Sequence, residues 1–212
     1  MLLSYSEILE RIEFPKKYSE SYGNGEGLPI IEPFNKKSLQ GVSYDVHIDK
    51  TIMRQNNSEN IVHLSMKSEI DCMFSEVEID DGYLLSPNEY ILAPLVEKFN
   101  MPDDLAGHIR PRTTMNKLGL LVVAQHINPS FCGKLYLGIK NISNSIIEIL
   151  PGISIAQCVF ESFNTEIPKE CLYRNRKESK YQHENKFIES KVYDEKVIKK
   201  ADDLLKIILT EE

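Results

Sequence analysis

No two cysteines of this chain stand at metal-binding spacing. Cys72, Cys132, Cys158 and Cys171 are scattered, with no CxxC pair and no Cys/His cluster, which excludes a zinc finger or ribbon and leaves reduced, intracellular thiols as the expectation. Long apolar runs are missing too: nothing approaches the eighteen or so residues of a membrane span. The opening MLLSYSEILERIEF lacks the basic start, apolar core and small-residue cleavage site of a secretion signal. A cytoplasmic location with no membrane partner is therefore expected. Positive charge is in short supply, with a net charge of -7. That deficit excludes a broad nucleic-acid surface, which needs a basic stripe, but it leaves room for a small anion held by a local cluster. GxxxxGK[ST], GxGxxG and HExxH are absent, as are internal repeats and low-complexity tracts.

What is present reads as one globular unit: 212 residues with 42% hydrophobic and 27% charged content. Ile8, Leu9 and Ile12 recur at helical spacing behind Ser4 and Ser6, predicting a short helix over 4–13. Residues 14–37, rich in Pro, Gly, Ser and Lys, read as an irregular connection. Strand-like segments follow at 42–48, 61–66, 75–80, 89–95 and 106–110, separated by turn residues, and again at 134–140, 145–150 and 153–160. Many short strands at such spacing predict a sandwich, jelly roll or barrel. Between them, Leu118, Leu120, Leu121, Val122 and Val123 form a buried-looking apolar stretch, and the turn His126-Ile127-Asn128-Pro129-Ser130 leads into the 134–140 strand. Residues 1–165 are assigned to a β domain. Residues 166–193, including LYRNRKESKYQHENKF, form an arm that is either ordered or a floppy tail, and 194–212 an amphipathic helix with Val197, Ala201, Leu204, Leu205 and Ile208 on one face.

The residues most suited to chemistry lie at 109–141. Arg112, Thr113, Thr114 and Lys117 place a guanidinium fork, two hydroxyls and an ammonium within six positions, a set able to grip phosphate through charge-assisted hydrogen bonds. By themselves they fit an ordinary solvated turn equally well. Asp45 in GVSYDV reads as a turn or surface carboxylate, and His126 as a structural histidine, since no Ser or Cys nucleophile stands at a recognisable distance. Cys132 has no nearby group to lower its pKa. Lys180 and Tyr181 either reach a ligand or are simply solvated.

Six segments taken in order carry a more specific signal. LLSYSEILERI resembles the N-terminal helix of the dCTP deaminases, which share a fold with the trimeric dUTPases. SLQGVSYDVHI resembles their first motif, MPDDLAGHIRPRTTMNKLGL their triphosphate-binding segment, and HINPSFCGKLYLGIKN their base-binding hairpin, with Asn141 anchoring the strand's end. PGISIAQCVF resembles the closing strand motif and YRNRKESKYQ the arm. An arm with Tyr173, then Lys180-Tyr181, is similar to the deaminase branch rather than to the glycine-rich end of a typical dUTPase.

The resemblance implies an all-β, distorted jelly-roll-like β-barrel of dUTPase type with an N-terminal and a C-terminal helix, assembled as a homotrimer with sites between subunits. It implies a pyrimidine deoxynucleoside triphosphate as ligand, carried with Mg2+. Arg112, Thr113, Thr114 and Lys117 would contact the triphosphate, helped by Tyr173, Lys180 and Glu184, and Ala124, Asn128 and Tyr136 would meet the base. Thr113 and Thr114 stand where the family usually has Ser, Lys117 where it has Arg, and Glu184 where it often has Gln. Two departures bear on catalysis: Gly138 stands at the position of the deaminase general base, a Glu, and Asn128 at the position of an Asp. Three functions follow as alternatives: an active deaminase or nucleotide hydrolase using another base, a nucleotide-binding protein with little turnover, and a structural or regulatory homologue. Gly138 is also expected to leave space for a substituted base.

Overall fold

A computed structural model describes residues 1–22, 27–56, 73–177 and 179–187. The chain begins with helix α1 (Tyr5–Glu13), whose N-terminus is capped as its sequence predicts. The Ser4 backbone N–H and hydroxyl both donate to the Glu7 carboxylate at 2.8 Å. Ile8 and Ile12 are buried and Leu9 packs against the core. Residues 14–37, expected to be irregular, contain a 3-10 turn at Pro15–Ser21, strand β1 (Ile31–Glu32) and a second 3-10 turn at Lys36–Ser38. Their apolar residues Ile30 and Ile31 are fully buried, and β1 pairs with a long central strand, so tertiary pairing overrides local composition here.

The remaining strands are β2 (Tyr44–His47), β3 (Thr51–Gln55), β4 (Phe74–Glu78), β5 (Tyr83–Leu85), β6 (Tyr90–Asn100) and β7 (Leu105–Pro111). After helix α2 (Thr113–Leu118) come β8 (Leu120–Val122), β9 (His126–Ile127), β10 (Cys132–Asn141), β11 (Ile147–Ile149) and β12 (Ser154–Ser162). The protein is thus mostly β with few helices. Among the described residues the strands form three open antiparallel sheets, with no closed barrel: β4-β3-β6-β10-β8 with β1 beside β6, β2-β12-β7-β9, and β11-β5. Side chains from the two larger sheets, including Tyr44, Val46, Ile91, Leu95, Ile109, Leu137, Ile139 and Phe160, merge into one core. A hydrogen-bonded brace crosses between them: the buried Glu97 on β6 accepts from the His47 backbone N–H at 3.0 Å and lies 2.6 Å from its Nδ1.

Most segments read as strands are strands, although 61–66 and the helix expected over 194–210 lie outside the described residues. The 89–95 segment runs on to Asn100 through Pro94, which cannot donate to a ladder. The opposing strand shifts register between Lys134 and Tyr136, so the proline sits at an irregularity rather than in a regular ladder. The apolar run at 118–123 is not buried throughout. Leu120 and Val122 are buried, whereas Leu118, Leu121 and Val123 are 48%, 50% and 43% exposed. The reason is a break in the run: α2 ends at Gly119 in the left-handed conformation (φ 77°), and β8 restarts the chain at the sheet edge with one face outward. A side chain at Gly119 would also meet Ser143 at 2.8 Å.

Asn141 terminates β10 as expected of an anchor. Fully buried, its amide donates to Leu85 O (3.0 Å) and Ser145 O (2.7 Å) and accepts from the Ser143 backbone N–H (2.9 Å). It therefore ties β10 to β5 and shapes the turn toward β11. Asn141→Ala would leave the buried Leu85 carbonyl without this partner and free the turn at Ser143 and Ser145, and a loss of about 1–3 kcal/mol is expected in chemical denaturation.

Candidate functional site

One face of β10 and the turn before it form the floor of a cavity of about 670 Å³. Alternation along the strand sends Leu137 and Ile139 into the core and leaves Lys134 and Tyr136 on the opposite, half-buried face. Leu92 of β6 joins them, and Gln125, His126, Ile127, Asn128 and Phe131 supply one wall. The wall is rigid because the turn is closed by Phe131 N–H on Asn128 O (3.1 Å) and by Ser130 N–H on Pro102 O (3.2 Å). Gln125 bridges wall to floor by donating to Tyr136 O at 2.6 Å.

The arm is the roof. It is ordered over the described residues, not a floppy tail, because the 129–134 segment offers it a row of partners. Tyr173 N–H donates to Pro129 O (3.2 Å), Arg174 N–H to Ser130 Oγ (3.0 Å), His183 N–H to Cys132 O (2.6 Å), and Lys134 N–H to Glu184 O (2.8 Å). The Gln182 amide spans Ser130 O and Cys132 N–H at 3.0 and 3.2 Å. Arg174 grips Asp103 through both guanidinium nitrogens, one contact at 2.5 Å. Aromatic edges complete the closure: Tyr173 lies 5.7 Å from Phe131, and Phe187 lies 5.4 Å from Tyr136. Lys180, Tyr181 and Glu184 also line the cavity.

Five of the residues expected at the site, Asn128, Tyr136, Tyr173, Lys180 and Glu184, therefore share one cavity. The 112–117 cluster does not line it. Thr113, Thr114 and Lys117 are exposed at α2, and Arg112 lies 3.7 Å from the Asp45 carboxylate while reaching Ser154 O at 3.4 Å. Ala124 is exposed between β8 and β9. Asp45 is not the surface or turn residue expected. It is buried within β2 and accepts from Gln157 at 3.0 Å, because the closing strand β12 pairs alongside and covers it. Another neighbour is the Arg112 guanidinium at 3.7 Å.

His126 has the partner expected of a structural histidine: its Nδ1 lies 3.4 Å from Nδ1 of His108. Burial, then the neighbouring His108, lowers its pKa, so it favours the neutral form. Burial raises the Cys132 thiol, which lies 3.4 Å from Asn100 Oδ1, consistent with an inert cysteine. Tyr136 is pushed up to about 12, by burial first and then by the Glu184 charge, and stays a neutral phenol. Among the described residues no group of three or more His, Cys, Asp or Glu is placed to hold a metal.

Gly138 does not leave the space expected of it. A Cβ built there would stand 2.4 Å from the Tyr90 hydroxyl and 3.0 Å from Val123 Cγ2, so a neighbouring strand fills the volume. Lys134 was missed by sequence reasoning, although its spacing of two from Tyr136 could have placed it on the same face. Its ammonium lies 2.7 Å from Asp49. Phe187 lines the cavity too, and carries no signal in the sequence that joins it to this site.

The dCTP deaminase-like family model matches residues 23–163. The chain is 36% identical over 168 residues to a dCTP deaminase, dUMP-forming, of Corynebacterium glutamicum, covering 77% of this chain and 87% of that protein. It is 33% identical over 168 residues to the protein so described from Corynebacterium diphtheriae, covering 77% and 88%. Among solved structures, the 2'-deoxycytidine 5'-triphosphate deaminase of Agrobacterium tumefaciens matches with a TM-score of 0.53 and 17% identity. The match covers 63% of this chain and 44% of that one, so it speaks to fold alone and spans less than half the larger protein.

Two expectations test this geometry. Arg174→Ala removes the two-pronged tie to Asp103, and limited proteolysis should then cut the arm faster than in the native chain. The second concerns pH. Burial alone would raise the Asp49 carboxyl, but Lys134 and the Lys50 N–H outweigh it and hold it below the ordinary aspartate value. Since the folded value is depressed, the pair stabilises the protein above the unfolded pKa, and this is lost as pH falls through the folded value. The stability gap between the native chain and Asp49→Asn should therefore be larger at about pH 7 than at about pH 3, as measured by urea denaturation.

Proposed function

The chain belongs to the dCTP deaminase-like family, and from that premise we propose that it holds a pyrimidine deoxynucleoside triphosphate in the β10 cavity and deaminates dCTP very slowly or not at all. The observation that carries this is the chemistry of the cavity lining. Tyr136, Phe131 and Leu92 offer flat or apolar surface to a base, and Lys134, Lys180 and Tyr173 offer cations and a hydroxyl to phosphate. Among the described lining residues, Glu184 is the sole carboxylate, and it belongs to the arm. At the two positions where the family resemblance places carboxylates stand Asn128, an amide, and Gly138, whose side-chain space is filled. Neither accepts a proton near neutral pH, and a missing general base costs ~10²–10⁴ in rate.

Arg112, Thr113, Thr114 and Lys117 lie outside the cavity of their own chain, so in this proposal they serve a neighbouring copy in a homotrimer. The exposed apolar residues Leu118, Leu121 and Val123 continue from α2 along the β8 sheet edge and suit such a contact. Asp45 pre-orients the Arg112 fork for that role. Mg2+ fits as an ion brought by the triphosphate rather than caged by the protein, with Glu184 the carboxylate that lines the same cavity as Lys180.

Calorimetric titration of the full chain with dCTP and dUTP in Mg2+ should show binding, and Arg112→Ala or Lys180→Ala should weaken it by about tenfold to a hundredfold. Ammonia and pyrophosphate release should stay near background. Turnover at an ordinary ~1–10³ s⁻¹ would overturn the low-activity part and direct attention to Glu184 and His126. Absence of binding would overturn the whole. Sedimentation showing only monomer at micromolar concentration would remove the shared-site arrangement.

A further inference from the structure

The pairing of β6 with β10 sets Leu92 opposite Gly138 and Tyr90 opposite Lys140. With side chains alternating between faces, Tyr90 and Leu92 point the same way from β6, and Tyr136 and Gly138 the same way from β10. Leu92 and Tyr136 line the cavity. Tyr90 and Gly138 thus continue that same face of the sheet beside the cavity, although neither is among its lining residues. There the phenol lies across the glycine: from the position of a Gly138 Cβ, the Tyr90 oxygen is 2.4 Å away and its Cε2 3.0 Å.

The Tyr90 hydroxyl is also unspent. Among the described residues no group hydrogen-bonds to it, although the ring is half-buried. A phenol held over a glycine by its strand, beside a ligand-sized cavity and with a free hydroxyl, is arranged to receive a partner from the cavity. We propose that Tyr90 is a specificity-determining residue of the β10 cavity: it fills the space that Gly138 vacates and presents its hydroxyl to the edge of the bound pyrimidine. This rests on the nucleotide-binding reading given above and adds the group that reads the base. Burial raises the phenol's pKa, so it remains protonated at neutral pH and acts as a hydrogen-bond group, not as a base.

Two consequences follow from the chemistry. A hydroxyl both donates and accepts, so it can serve a ring carbonyl of uracil or an exocyclic amino group of cytosine. The site is then expected to hold dUTP and dCTP alike, rather than to reject one. Secondly, residues 90 and 138 form a steric unit: a side chain at 138 must displace the phenol, so Gly138→Glu by itself does not restore the family arrangement without a shift of Tyr90.

The test is calorimetric titration of full-length Tyr90→Phe with dCTP and with dUTP in Mg2+, alongside melting temperatures of Gly138→Ala in the native and Tyr90→Ala backgrounds. Tyr90→Phe keeps the ring and should melt with the native chain, while weakening both nucleotides by about fivefold to tenfold, the net value of one hydrogen bond. Gly138→Ala should lower Tm by several degrees in the native background and by clearly less beside Tyr90→Ala. If the native chain binds and Tyr90→Phe binds equally well, the hydroxyl's role is overturned while nucleotide binding stands. Equal Tm losses in both backgrounds would overturn the steric unit. If the native chain binds neither nucleotide, the functional reading fails and the role of Tyr90 in base recognition fails with it.

Discussion

The antiparallel ladder between β6 and β10 is the constraint on which the rest of the structure depends. It joins the two longest strands of the larger sheet, running from Cys132 opposite Asn100 to Lys140 opposite Tyr90. One face of that ladder is core, where Ile91, Ala93, Leu137 and Ile139 are fully buried. The other face is the cavity floor. A shift of one residue would exchange the two sets, placing Lys134 and Tyr136 in the core and Leu137 outside, so hydrophobic burial fixes the site's geometry as a by-product of fixing the register. The irregularity opposite Pro94 is confined between Lys134 and Tyr136 and leaves the pairing on either side intact.

Around this ladder, backbone hydrogen bonds do the closing. The arm has few apolar side chains with which to bind the body. What holds it is the unpaired polar edge of the 129–134 segment, satisfied by Tyr173, Arg174, Gln182, His183 and Glu184. Such groups would otherwise be partly withdrawn from water without partners, which gives an otherwise polar segment a defined place. The two aromatic contacts, Phe131 with Tyr173 and Tyr136 with Phe187, then fix the roof's two ends.

Charge is handled locally. Three cations of the site region have a dedicated carboxylate within 4 Å: Arg112 with Asp45, Lys134 with Asp49, and Arg174 with Asp103. An acidic chain can therefore carry cations near the cavity and keep them oriented. The pairs at β2, at the turn after it and in the arm link segments distant in sequence, so their worth lies in positioning at least as much as in stability; partly exposed ion pairs contribute little by themselves.

Local pattern in the sequence determined a great deal. Helical spacing behind Ser4 placed α1, alternation placed β10, and turn residues separated most of the strands. The Asn128 turn, closed by Phe131 N–H on Asn128 O, and the contacts of Asn141 to Ser143 and Ser145 are local, and could be assigned for that reason. Asn128, Tyr136, Tyr173, Lys180 and Glu184, grouped through the order and spacing of motifs along the chain, line one cavity. What the sequence could not contain is which strands lie side by side. Asp45 looks like a surface carboxylate until β12 pairs with β2 and covers it. Leu118, Leu121 and Val123 look like core until Gly119 turns the chain onto a sheet edge. Gly138 looks like an opening until the ladder brings Tyr90, forty-eight positions earlier in the sequence, across it. Each of these was decided by contact between segments far apart in the chain, and only the tertiary structure sets those distances.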